Sequence, residues 1–147
     1  MRTFLSALVR AGLVLATLLM ITGVTEPVIR STLWDGAGEI ALRDVTGWSG
    51  PALLARIVML AFVALATIYA VVLLPTPCPA RRPAWANSGY VLSIATAVGL
   101  FAIATTLHEV QGPTAAVTYE AGLWLPLVGL AIGATCCGVT ARHSAGA

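Results

Sequence analysis

"ALLARIVMLAFVALATIYAVVLL", Ala52 to Leu74, decides the fold. It holds one charge, Arg56, near its start, and no Gly, Pro or acid. About 20 apolar residues at 1.5 Å rise cross a bilayer core as a helix. A backbone in lipid has no water to bond, so only helices and closed barrels span it. The run lacks the period-two alternation of a barrel strand and predicts a helix.

Three further runs of this kind lie outward from it. They are Leu5 to Val24, Ser88 to Leu107 and Ala121 to Val139. The chain is 59% hydrophobic and 10% charged, against roughly 25% charged in soluble domains. Its mean hydropathy is +0.92. The expected fold class is an all-α membrane protein, a four-transmembrane-helix bundle forming one membrane domain over 1–147. The spans are about 5–24, 52–74, 88–107 and 121–139. Outer loops occupy 25–51 and 108–120, and an inner loop 75–87. Arg2 and Arg10 before the first apolar run also fit a signal peptide, but "ITGVTEP" makes a poor small-x-small cleavage site. A retained anchor is the reading adopted.

Charge sets the expected orientation. The N-terminus, the 75–87 loop and the C-terminal tail hold Arg2, Arg10, Arg81, Arg82 and Arg142, and no acid. The other two connections, with Arg56 at their margin, hold three arginines and all six acids. Arginines concentrate on the cytoplasmic side of short loops, so both termini are expected in the cytoplasm of a plasma (inner) membrane protein. Trp48 and Trp124 then fall at the outer interface, and Trp85 and Tyr90 at the inner one.

The first outer loop is too long for a plain connection. Val28 to Trp34 and Glu39 to Val45 are rich in β-branched and aromatic residues, with Asp35-Gly36-Ala37-Gly38 between them as a turn. They predict a short β-hairpin at 28–45, in competition with an interfacial helix or coil. Loops are where partner surfaces sit. Trp34, Asp35, Glu39, Arg43 and Asp44, with His108, Glu109 and Glu120 from the second loop, are the candidate partner surface.

Small residues mark candidate packing faces: Gly129, Gly133 and Cys137 in the fourth span, and Gly89, Ser93 and Ala97 in the third. Such faces let helix backbones approach closely, either inside one bundle or between copies. Cys78, Cys136 and Cys137 all fall on the cytoplasmic side, so no structural disulfide is expected. They are weak candidates for a soft metal. Thr76-Pro77-Cys78-Pro79 resembles the proline-flanked cysteine of heavy-metal pumps but has one cysteine, at a helix end. Adjacent Cys136 and Cys137 point about 100° apart on a helix. Small buried packing residues are the better reading. His108, Glu109 and Glu120 could ligate a metal, but they read better as a solvated helix rim. No metal site, cofactor or catalytic residue is assigned.

Proton-coupled transport and ion conduction normally need an ionisable group deep in the membrane. Beyond Arg10 and Arg56 near helix ends, the spans carry none. The chain lacks the first-span glutamate of small multidrug-resistance transporters and the outward CxxC of four-helix thiol oxidoreductases. Gly122-Leu123-Trp124 echoes the claudin signature, but in the wrong place and without its cysteines. The sole adjacent basic pair, Arg81-Arg82, argues against nucleic-acid binding.

Two short elements carry a resemblance. Thr46-Gly47-Trp48-Ser49 ends the first outer loop, and Gly122 to Leu125 opens the last helix before a Gly-rich run. The layout resembles a loose class of uncharacterised four-helix small integral membrane proteins of actinobacterial type. That resemblance implies the topology and no activity. The expected function is a non-enzymatic accessory or scaffold subunit. Its partners would be the lipid bilayer and another membrane or cell-envelope protein, or a second copy of itself. The alternative is a small oligomeric transporter or permease component, handling a soft metal in one version.

Overall fold

The computed structural model describes residues 2–33, 36–41, 52–74, 81–111 and 116–145. Its elements are α1 (Arg2–Thr25), β1 (Pro27–Leu33), β2 (Gly36–Ala41), α2 (Ala52–Leu73), α3 (Arg82–Gln111), β3 (Ala116–Tyr119) and α4 (Ala121–Ala145). Four helices among these are long and apolar enough to cross a membrane. Phe4, Leu8, Leu53, Leu60, Val63, Val98 and Phe101 are exposed along the bundle. The core beneath them is aliphatic, with Leu13, Met20, Leu65, Leu100, Ile103 and Leu130 fully buried.

The helices extend past the apolar runs from which they are read. α3 starts at Arg82, not Ser88, and ends at Gln111, so Trp85 lies in its first turn instead of in a loop. Hydropathy marks the stretch that suits lipid, while helical hydrogen bonding continues into polar sequence. Pro83 fits because a missing N–H near a helix start costs little. Arg82 also turns back, and its Nη2 donates to the Val72 carbonyl at 2.8 Å. A cation there satisfies an orphan acceptor at the negative end of α2.

α4 is the central helix, packed on α1 along one side and on α3 along another, while α2 packs mainly on α3. The glycines fix the register. Gly12 faces the Cys136 thiol, Gly23 the Pro126 ring, and Gly129 the Ala16 carbonyl and Leu19, so α1 and α4 run antiparallel. Gly89 faces Cys137 and Ile68, and Gly99 faces Val58. α1 and α2 touch only sparsely. A cleft of about 650 Å³ opens between them, lined by residues such as Met20, Ile21, Met59 and Phe62. Its threonines turn inward on their own helices: Thr17 donates to the Leu13 carbonyl and Thr67 to the Val63 carbonyl, each at 2.9 Å.

One end of the bundle carries a three-stranded antiparallel sheet in the order β2-β1-β3. The hairpin β1–β2 overlaps the stretch 28–45 expected for it and starts one residue earlier, but Gly36, Ala37 and Gly38 belong to β2 and not to a turn. They pair with Leu33, Thr32 and Ser31. The third strand was not expected, because 108–120 reads as a loop. The fold is therefore helical with a small sheet, not purely helical. β1 opens on Pro27, where a strand tolerates a missing donor. The β1–β2 register shifts between Pro27 and Ile29. Such a bulge lets neighbouring side chains share a face, and Val28 and Ile29 are both fully buried.

Candidate functional site

The polar residues concentrate where β1 and β3 meet the helices. α1 ends at Thr25 and β1 begins at Pro27, while β3 ends at Tyr119 and α4 begins at Ala121. The antiparallel pair α1–α4 thus runs on into the antiparallel pair β1–β3, with one residue, Glu26 or Glu120, at each joint.

Glu120 organises the site. Its backbone N–H donates to the Val28 carbonyl at 3.0 Å, continuing the β1–β3 ladder. Its carbonyl accepts from the amides of Leu123 (3.0 Å) and Trp124 (3.4 Å), starting α4. Its carboxylate stands at the positive end of the α4 dipole, where a negative charge is favoured. Glu120 Oε1 lies 3.6 Å from Nη1 of Arg30, which β1 contributes. The Thr118 hydroxyl sits between Glu120 Oε1 (3.4 Å) and the Arg30 carbonyl (3.3 Å), and its single proton serves one at a time. Beside this group the His108 ring stacks on Tyr119, centroids 6.2 Å apart and planes 29° apart. Arg30, Thr118, Tyr119 and His108 are exposed, so the surface is open.

Gly122 makes the joint possible. A Cβ there would collide with the backbone carbonyls of Glu26 and Pro27. The first turn of α4 thus lies directly against the chain where α1 becomes β1. The Gly122-Leu123-Trp124 element accordingly has a packing role: Leu123 is buried below the sheet, and Trp124 is exposed.

Several candidate residues come together here and others do not. His108, Glu109 and Glu120 belong to the same end of the bundle. Glu39 lies in β2 opposite Arg30 of β1, which places an acid and a base at one register position. Trp34, Asp35, Arg43, Asp44, Trp48 and Cys78 lie outside the described residues. No three His, Cys, Asp or Glu residues among the described ones lie close enough together to hold a metal ion. Cys136 and Cys137 face α1 and α3 respectively, each against a glycine. Trp85 and Tyr90 are exposed on α3 at the opposite end from the sheet, and Trp124 is exposed near the sheet.

A second polar node, deep in the bundle, escaped the reading of the sequence. Tyr69 is fully buried and its hydroxyl lies 2.7 Å from Ser93 Oγ. Ser93 in turn donates to the Gly89 carbonyl at 2.6 Å. Ser93 has one proton and spends it on Gly89, so Tyr69 is the donor. The Tyr69 hydroxyl also lies against Gly133 of α4. Gly133, Gly89 and Ser93 therefore work as one joint between α2, α3 and α4, while Ala97 lies half-buried one helical turn beyond Ser93 on α3. A tyrosine in an otherwise largely apolar span was the available signal.

No family model, no curated protein and no solved structure matches this chain.

Proposed function

We propose that this protein is a multi-pass plasma (inner) membrane protein with both termini in the cytoplasm. In this reading it is a non-enzymatic accessory or scaffold subunit that offers its sheet to another membrane or cell-envelope protein. One observation carries the reading: the sheet takes strands from both connections at that end and is fused without linkers to α1 and α4. The described strands of two loops thereby become one platform continuous with the bundle. Rigid presentation lowers the ordering cost of binding. Exposed apolar side chains along all four helices support insertion in lipid, since a water-soluble monomer rarely leaves so large a patch uncovered.

The transporter alternative has less support. Cys136 and Cys137 diverge onto different helices, and the polar side chains buried in the bundle among the described residues, Tyr69, Ser93 and Thr96, are hydrogen-bonded to each other or to backbone.

A photo-crosslinking amino acid tests the proposal. It is placed at Thr118 on the platform, or at Leu60 on the exposed face of α2, and activated in intact cells. The expected outcome is one discrete protein adduct from Thr118, lost when Glu120→Lys is added, and only lipid or diffuse adducts from Leu60. A chain that stays monomeric and uncrosslinked at Thr118 would overturn the scaffold reading.

A further inference from the structure

The end of the bundle away from the sheet is built almost without acid. No Asp or Glu occurs in residues 1–25, 52–108 or 121–147. Arg10, Arg81 and Arg142 are all exposed there. The glycine contacts set their heights. Gly12 faces Cys136 and Gly89 faces Cys137, which sets one level across α1, α4 and α3. At 1.5 Å per residue, Arg10 lies about 3 Å beyond that level, Arg142 about 9 Å and Arg81 about 12 Å. Three uncompensated cations, from α1, from α4 and from the residue just before α3, thus form a belt about 9 Å tall. Trp85 lies within it, about 6 Å beyond the same level, and is exposed. Indole rings favour the headgroup level of a bilayer. Arg82 is used differently, since its guanidinium caps α2 through Val72.

We infer that this belt is a docking surface for anionic phospholipid headgroups, seated against Arg10, Arg81 and Arg142. The inference rests on the membrane reading above, and charge complementarity identifies the occupant. A positive belt directly bordering an apolar helix surface fits a ligand with a phosphate at one end and hydrocarbon at the other. A soluble anion would use only the charges. An acidic protein would need polar surface around them, and here the belt gives way on its sheet side to Val14 and Val91, both exposed. Each basic side chain near an anionic surface strengthens binding by roughly fivefold, an effect that salt screens.

Native mass spectrometry of the full chain in non-ionic detergent provides the test. The protein is titrated with phosphatidylglycerol or with phosphatidylcholine of the same chain length. Phosphatidylglycerol should bind with clear preference, and R81Q/R142Q should weaken it by roughly 25-fold while leaving phosphatidylcholine unchanged. R10Q, a milder variant, should weaken it roughly fivefold. R56Q, near the sheet end, should have no effect. Equal binding of the two lipids, or a loss with R56Q matching that of R81Q/R142Q, overturns the proposal. So does displacement of the lipid by inorganic phosphate at equal concentration. Alkaline carbonate extraction of cell membranes separates this from the parent reading. A chain released by carbonate sinks the membrane assignment itself, whereas a retained chain without lipid preference sinks only the docking surface.

Discussion

The hydroxyl of Tyr69 on α2 lies so close over Gly133 on α4 that a single added methyl group would collide with it. The two residues belong to helices that otherwise meet little, and Ser93 of α3 completes the joint. Gly133→Ala should therefore be costly, about 1–3 kcal/mol by overpacking. Tyr69→Leu removes the colliding atoms, so the double variant should recover part of the loss. Thermal unfolding of the four proteins of this cycle in detergent measures the coupling. Additive effects would mean that the two side chains do not share space. Tyr69→Phe alone should cost only about 0.6 kcal/mol, the typical value of a hydrogen bond between membrane helices, because Ser93 keeps its bond to Gly89.

Gly122 and Gly138 lie in the same helix, and an added Cβ meets different surroundings at each. At Gly122 it strikes the backbone of Glu26 and Pro27, which cannot rotate away. At Gly138 its nearest neighbour is the Tyr90 ring at 3.5 Å, an ordinary contact. Gly122→Ala should lower folded yield sharply and destabilise by several kcal/mol, whereas Gly138→Ala should be within about 0.5 kcal/mol of the parent chain. Size-exclusion profiles and melting curves of the two variants check this directly.

The Arg30–Glu120 pair is expected to matter more for recognition than for folding. At 3.6 Å, with Arg30 about half exposed, it is a surface ion pair worth about 0–1 kcal/mol. Arg30→Gln should leave the melting temperature nearly unchanged, and high salt should erase any difference. If crosslinking from Thr118 also proves indifferent to Arg30→Gln and Glu120→Gln, the platform is not read through this pair.

The proposed orientation is testable with the native thiols. Cys78 follows α2 at the arginine end of the chain. A membrane-impermeant maleimide added to intact cells should leave it unlabelled, and should label it after the cells are opened. Labelling in intact cells would reverse the orientation. Replacing Cys78, Cys136 and Cys137 with serine should leave metal tolerance of the cells unaltered, and a lost tolerance phenotype would restore the soft-metal transporter reading.

The positions of the four helices and of the hairpin were legible because each is written in a contiguous stretch. The Ala52–Leu74 run and the β-branched Val28 to Leu33 segment announce their own periodicity. β3 did not, because Ala116–Tyr119 is only four residues long and becomes a strand by pairing with Ile29 to Thr32, far away in sequence. The site inherits that limit. Glu120 was a candidate, but its partner Arg30 was not, since nothing local to either residue brings them together. Gly133 was legible as a small residue on a packing face. Tyr69 was not its visible counterpart, because α2 and α4 are not neighbours along the chain.

The sheet joints and the central place of α4 also carry a consequence for how the chain is made. Of the four helices described, α1 is made before the other three, yet its main helical partner, α4, is made after them, and β1, already paired with β2, waits nearly as long for β3. Until then α1 has little more than sparse contacts with α2 and β1 to hold it. The nascent protein therefore passes through a stage in which α1 lacks its main partner and one edge of β1 is unpaired, when chaperones and proteases have their widest access to it.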